Sequence, residues 1–452
     1  MRYVISGYYG DKNAGDEAIL AGILQEIGRR DPDARFVVLS FDPDDTERRH
    51  GQGRELAAVS TSLRSPGRLR TVMRGANLLI SGGGSFLHEA DFELHGRSFL
   101  FRKGRLRPVP YFLSVILMAR AQGLPVMWYA QGLGPLHTRA ARSLVARAAT
   151  SSQAVTWRDP DSARLAYEIG VRAPVHLVAS DPVYALTPAA EERAQAELEG
   201  RGLSAGSRYL AVCPRPWLGR TGYLEALGRS LDKAGAALDL EILLVPFHEL
   251  LDPPVCDTLA ARPALAGRAH SLPPVSDPAV LAAVLGGAES VVAMRLHSGI
   301  LAATAGTPAV VIDYDPKTKA FAEQTGQSRW AVSVDDLEQE GTSEVAASEV
   351  VASQNAARDV PPGRYRAPAD PLYEAITSTI GDLPARRAAL ARAVAPLRAE
   401  AGRTAGLAVQ LASSGRRGGA AGPRAGAVGQ GGGVVGPRAG AAGRRRARRD
   451  SG

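Results

Sequence analysis

Two successive series of apolar runs, each alternating with helical patterns, constrain this chain more than any other feature. The first series has runs at 2–6, 35–40, 77–81, 125–130, 153–157 and 175–179, with helical patterns near 16–30, 110–122, 138–149 and 160–169. The second has runs at 209–213, 240–245, 290–294, 309–313 and 330–333, with helices near 222–236, 277–287 and 298–305. Strands apolar on both faces and joined through helices predict parallel, doubly wound α/β sheets. Two such sheets of similar size in 452 residues predict two α/β domains with a cleft between them. The expected boundaries are 1–184, 185–365, a helical segment at 366–412 and a tail at 413–452, with the linker near 181–189.

In an open α/β sheet ligands bind beyond the carboxyl ends of the strands. Charged residues concentrate there in the second series. Arg295 and His297 follow the run at 290–294, and Lys317 follows the run at 309–313. Arg158 follows the run at 153–157 in the first series. Fixed cations beside a titratable imidazole suit a small, multiply charged anion that must also exchange a proton. His297 is therefore the candidate for proton transfer, and Arg158, Arg295 and Lys317 are the candidates for holding the anion.

Glycines concentrate at the same edge of the first series. Gly7, Gly10 and Gly15, with Asn13, Asp16 and Glu17, follow the first run; Gly82, Gly83, Gly84 and Ser85 follow the third; Gln131 opens another glycine-rich turn. Such turns let a ligand lie on the backbone, and a helix N-terminus adds free amide donors. All three are expected on one rim of the cleft. Asp16 and Glu17 would repel phosphate but can bind sugar hydroxyls, and Asp16, Glu17 or Glu89 can serve as a base. The spacing is neither that of a dinucleotide fingerprint nor of a phosphate-binding loop of nucleotide hydrolases.

Composition excludes several other classes. No stretch approaches the roughly 20 apolar residues of a membrane span. The opening residues are already strand-like, which predicts no secretory leader. Two cysteines, Cys213 and Cys256, fit a reducing cytoplasm, and no histidine spacing suggests a metal site. The net charge of +8 belongs to the C-terminus: from Arg403 onward there are ten arginines and one acid. The remainder is close to neutral, which argues against a nucleic-acid enzyme. The Ala/Leu/Arg pattern at 389–411 reads as a last packed helix or a basic amphipathic one. The Gly/Ala/Arg tail beyond it is expected to be disordered and to contact anionic headgroups, if anything.

Several segments together resemble the polysaccharide pyruvyl transferase family, in particular its CsaB-type bacterial branch. They are Ile5-Ser6-Gly7-Tyr8-Tyr9-Gly10 with Asn13-Ala14-Gly15-Asp16-Glu17-Ala18, Leu79-Ile80-Ser81-Gly82-Gly83-Gly84-Ser85, and Tyr129-Ala130-Gln131-Gly132-Leu133-Gly134-Pro135. Arg158-Asp159, Arg295-Leu296-His297-Ser298 and Asp313-Tyr314-Asp315-Pro316-Lys317 complete the set. The resemblance implies two Rossmann-like domains facing across a cleft, as in GT-B glycosyltransferases. It implies phosphoenolpyruvate as co-substrate, no cofactor, and a cyclic pyruvate ketal on a sugar as product. It further implies a lipid-linked cell-wall acceptor carrying N-acetylmannosamine and a polymer that anchors surface-layer proteins. The expected location is the cytoplasm, with peripheral contact at the inner face of the plasma membrane through the Arg-rich tail. By the family pattern Arg158, Arg295, His297 and Lys317 match donor positions. The chain departs from the pattern at Phe86-Leu87-His88-Glu89 and in a basic insertion at 92–108. The rival reading is a nucleotide-sugar glycosyltransferase of the same architecture, which would place a carboxylate pair for ribose in the second domain.

Overall fold

The computed structural model describes residues 1–61, 66–89, 101–102, 105–106, 108–342 and 370–417. The tail beyond 417 and most of the basic insertion at 92–108 lie outside the described residues.

The N-terminal half runs β1 (Arg2–Tyr9), α1 (Ala14–Arg30), β2 (Arg35–Ser40), α2 (Pro43–His50), β3 (Glu55–Ser60), α3 (Pro66–Met73) and β4 (Leu78–Leu87). Then come the short pair β5 (Phe101–Arg102) and β6 (Arg105–Leu106), α4 (Pro108–Ala121), β7 (Val126–Leu133), α5 (Arg139–Thr150), β8 (Ala154–Trp157), α6 (Pro160–Glu168) and β9 (Val175–Val178). The C-terminal half runs α7 (Glu191–Glu199), β10 (Tyr209–Cys213), α8 (Gly222–Leu238), β11 (Glu241–Leu244), α9 (Pro253–Ala260), β12 (Ala269–Ser271), α10 (Pro278–Gly287) and β13 (Ser290–Ala293). It continues with α11 (Leu296–Ala305), β14 (Ala309–Asp313), α12 (Pro316–Gln324), β15 (Ala331–Ser333), α13 (Pro371–Ile380) and α14 (Leu383–Arg417).

The first sheet has the order β3-β2-β1-β4-β7-β8-β9 and the second β12-β11-β10-β13-β14-β15. Every pairing within both sheets is parallel. The direction in which the chain adds strands reverses between β1 and β4 and again between β10 and β13. Those two switch points open toward the same cleft, where a doubly wound sheet binds its ligand. Helices cover both faces of each sheet, so β7 and β10 are buried at every residue. The fold is thus the expected pair of Rossmann-like domains of GT-B type.

Within the two large sheets, β3 and β12 have no counterpart among the apolar runs of the sequence. Both are edge strands and both are half exposed along their length, so neither carries a continuous apolar stretch. The Ala/Leu/Arg segment is a packed helix. Along α14, Leu390, Val394, Ala401, Ala405, Ala408 and Ala412 are buried in the same core as Ile19, Ile23 and Leu301. Arg398 on that helix donates to the Tyr184 and Thr304 carbonyls, and the Ser180 hydroxyl donates to the Leu397 carbonyl. The segment expected as a linker is itself structured: residues Pro182–Ala185 form a buried 3-10 turn against α1 and α11.

Candidate active site

The cleft holds a cavity of about 390 Å³. Its walls come from loops at the carboxyl ends of β1, β4, β8, β10, β11, β13 and β14. The first half contributes Tyr8, Asp11, Asn13, Asp16, His88 and Arg158; the second contributes Arg215, Arg295, His297, Tyr314 and Lys317. Of the residues singled out in the sequence, Arg158, Arg295, His297, Lys317, Asn13 and Asp16 therefore converge on one cavity.

The N-terminus of α1 forms one wall. Asn13 caps it: its side-chain oxygen accepts from the Gly15 amide at 3.1 Å, and its nitrogen donates to Asp16 at 2.7 Å. The same loop is tied to the other half through its backbone. The Ala14 amide donates to the Phe247 carbonyl and the Glu249 amide to the Lys12 carbonyl. Burial pushes the Asp16 carboxyl up to about 7, opposed by His297 and Arg295 and assisted by Glu17 and Asp11. Asp16 thus changes charge near neutral pH.

Opposite α1, the turn from β13 into α11 presents Arg295 and His297. A Cβ on Gly15 would sit 2.3 Å from His297 Nδ1, so only glycine allows the imidazole to lie against the end of α1. His297 Nε2 lies 3.5 Å from Asp181 Oδ2, and Arg158 Nη1 lies 3.6 Å from the same oxygen. Arg158 and His297, which follow strands of different sheets, are thus joined through a buried carboxylate. Arg295 is tied more firmly than expected. Its Nε and Nη2 donate to the two oxygens of Asp252, at 2.7 and 2.5 Å. Asp252 is fully buried and also accepts from the Phe247 and His248 amides. Arg295 therefore lines the cleft and fixes a loop of the fold at the same time. Lys317 enters from the first turn of α12, whose N-terminus Asp315 caps.

Several expected site residues serve the fold instead. Glu17 is buried away from the cavity, accepting from the Gly10 amide at 2.8 Å and pairing with His50 Nε2 at 2.7 Å. Glu89 is also buried and accepts from the His137 and Thr138 amides and the Thr138 hydroxyl ahead of α5. Neither lines the cavity.

The glycines correct the expectation of a ligand-lined rim. Gly82, Gly83, Gly84 and Ser85 lie inside β4, which runs through to Leu87. Gly83 has a φ of +52°, and a Cβ there would stand 2.1 Å from Ile19 Cγ2, so this glycine admits α1 against the sheet. Gly82 meets Tyr9 and Ile23, Gly7 meets the Tyr9 ring, and Gly10 meets Ser40 and the Asp42 backbone. The Gly84 carbonyl accepts from the side-chain Nε2 of Gln131 at 2.8 Å, and Gln131, on β7, is fully buried. The Ser85 side chain lies outside the described residues.

Sequence reasoning missed Asp181, Asp252, Asp11 and Arg215. Arg215 follows β10 as Arg295 follows β13, so the same rule of strand ends points to it. It donates to the Tyr314 hydroxyl at 2.8 Å and lies over the rings of Tyr314 and Trp217. Asp181 and Asp252 carry no local signal, because their partners are distant in sequence.

The sequence model described as polysaccharide pyruvyl transferase matches residues 13–316. No curated protein matches the chain. Among solved structures, Alr3699/HepE from Anabaena in complex with UDP-glucose aligns with a TM-score of 0.55 at 12% identity, covering 92% of this chain and 100% of its own. The same protein with UDP and glucose aligns at 0.51 and 13% identity, with the same coverage. An α,α-trehalose 6-phosphate synthase from Burkholderia multivorans aligns at 0.50 and 9% identity, covering 92% of this chain and 99% of its own. At these identities the structural likeness speaks for the fold alone.

Proposed function

The chain belongs to the polysaccharide pyruvyl transferase family, and from that premise we propose that it moves pyruvate from phosphoenolpyruvate onto a sugar as a cyclic ketal. One observation carries the reading: Arg158, Arg215, Arg295, Lys317 and His297 converge on one cavity that Asp11 and Asp16 also line. The cations suit the carboxylate and phosphate of the donor, by fork or by point charge. The carboxylates suit hydroxyls of the acceptor.

In this mechanism a proton reaches the methylene carbon of phosphoenolpyruvate, and C2 becomes electrophilic. A sugar hydroxyl attacks C2 and loses its proton. Phosphate leaves with the electron pair of its C–O bond, a second hydroxyl closes the ring at the same carbon, and the departing phosphate takes that hydroxyl's proton. His297 delivers the proton. Asp16 accepts one from a hydroxyl, being the one of the three proposed carboxylate bases that lines the cavity. Its carboxyl, standing at about 7, is matched to that task.

The finer proposals follow the family branch that the motifs resemble. The acceptor is a lipid-linked cell-wall precursor bearing N-acetylmannosamine, the product anchors surface-layer proteins, and no cofactor takes part. The enzyme works at the inner face of the plasma membrane. No helix among the described residues is long and apolar enough to cross a membrane, and we assign headgroup contact to the arginines beyond residue 417, with no role for nucleic acid. The rival nucleotide-sugar reading needs carboxylates from the second half, and among the described residues that half lines the cavity with none. Mass spectrometry of a lipid-linked sugar after incubation with phosphoenolpyruvate tests the proposal. A ketal adduct with released phosphate supports it; a stable complex with a UDP-sugar, and no adduct, overturns it.

A further inference from the structure

Asp181 has no assigned role, yet it occupies the most consequential position behind the cleft. It follows β9 and is 3% exposed. One oxygen accepts from the Val183 amide at 3.0 Å, which fixes the carboxylate at the head of the 3-10 turn. The other lies between two cleft residues from different halves of the molecule, 3.5 Å from His297 Nε2 and 3.6 Å from Arg158 Nη1. That oxygen and His297 Nε2 are both buried, and among the described residues neither makes a hydrogen bond shorter than this 3.5 Å approach. A buried donor and a buried acceptor set this close, with no shorter bond to either, form a natural pair.

The two imidazole nitrogens are therefore unequal. Nε2 is turned toward Asp181, inside the protein. Nδ1 lies against Gly15, at the end of α1 that forms the cavity wall. We infer that Asp181 is the positioning residue of His297: it holds the imidazole by Nε2–H and leaves Nδ1 as the nitrogen that exchanges a proton in the cleft. The inference rests on the proposed pyruvyl transfer for its kinetic arm and on geometry alone for its structural arm. Burial by itself would raise the Asp181 carboxyl, but His297, Arg158 and the Val183 amide together hold it below the usual carboxylate range. It is therefore a fixed negative charge beside the ring. The other charged groups around the ring are Asp16 and Asp11 from the α1 side, Arg158 after β8, Arg215 after β10, Arg295 before α11, and Lys317 on α12. Four of these are cations, and Asp181 is the buried negative charge that faces His297 among them.

The first test needs no substitution. Long-range proton–nitrogen NMR on protein labelled at histidine reads the neutral tautomer of His297, assigned by its loss in His297→Asn. Protonation at Nε2 is expected; protonation at Nδ1 overturns the inference. The second test uses Asp181→Asn, which keeps an oxygen for the Val183 amide and removes the charge. Turnover is expected to fall about 10- to 100-fold, part of what a positioned proton donor contributes. The limb of the pH–rate profile that reports the protonated donor moves to lower pH, because the imidazolium has lost its counter-charge. In the His297→Asn background the same substitution is expected to cost almost nothing further in turnover, whereas a purely structural Asp181 would cost as much in either background. Equal costs, or an unmoved titration of His297 in Asp181→Asn, overturn the inference. If the protein consumes no phosphoenolpyruvate, the proposed activity falls, while the tautomer and the titration still decide the role of Asp181.

Discussion

The loops that follow β1 and β4 and the loops that follow β13 and β14 hold equivalent places, at the switch point or beside it, and put them to opposite use. On the first side, the glycines of β4 let α1 settle onto the sheet, and Glu17 turns inward to His50. On the second side, the strands end in charged residues whose side chains line the cavity. A glycine at the ligand edge of a sheet thus answers to whichever surface comes close. Here that surface is the protein's own helix. Each side also has an exception. Arg295, on the charged side, is built into the fold by Asp252. Asp16, on the glycine side, faces the cavity together with its neighbours Asp11 and Asn13 and with His88 after β4.

The largest expected effect tests the first exception. Arg295→Ala strands Asp252, which is fully buried. Removing one partner of a buried pair costs about 3–5 kcal/mol. The variant is expected to lose activity and to unfold at a markedly lower temperature, and Arg295→Ala with Asp252→Ala to recover part of the loss. A variant with unchanged melting temperature would make Arg295 a ligand group alone and remove the exception.

The next pair sharpens the rule itself. Gly83→Ala drives a Cβ to 2.1 Å from Ile19 at a φ of +52°. Overpacking and backbone strain together predict a loss of about 2–4 kcal/mol. Donor affinity of the folded fraction is expected to be unchanged. Lys317→Ala should do the reverse: about 100-fold lower kcat/KM, or ~2.7 kcal/mol, with a melting temperature within a degree or two of the parent. Denaturant titration beside steady-state kinetics reads both. If Gly83→Ala weakened donor binding while sparing stability, the glycine side would be a ligand rim after all.

These outcomes bear on what the sequence makes legible. The central strands and the charges at their ends are visible because burial on both faces leaves a continuous apolar run, and the run stops where the ligand edge begins. That logic reaches Arg158, Arg295, His297 and Lys317, and extends to Arg215. It cannot reach pairings made across the fold. Asp252 meets Arg295 from 43 positions away and Glu17 meets His50 from 33. Asp181 meets two groups on different domains. Nor does it separate a glycine that admits a ligand from one that admits Ile19, since both need only the missing Cβ.

The smallest expected effect tests the second exception, and its sign depends on pH. The Asp16 carboxyl stands at about 7 in the folded protein, against about 4 in an unfolded chain. Between those values the folded state keeps a proton that the unfolded state has released. Asp16 therefore contributes less to stability as pH rises from about 4 to about 7, and above 7 the protein carries an ionised carboxylate that burial disfavours. Asp16→Asn is neutral throughout and escapes this decline. Each tenfold difference in proton affinity between the two states is worth ~1.36 kcal/mol, but the carboxyl lines a cavity, and the amide replaces the oxygen that accepts from Asn13. The net gain should be about 1–2 kcal/mol at pH 8 and vanish near pH 4, read as the difference in melting temperature across a pH series. Turnover should fall at least about tenfold, because an amide cannot accept a proton from a hydroxyl. A variant more stable at pH 8 and less active identifies Asp16 as a cleft group held at a cost to the fold. Equal stability at both pH values would return it to the structural company of Glu17.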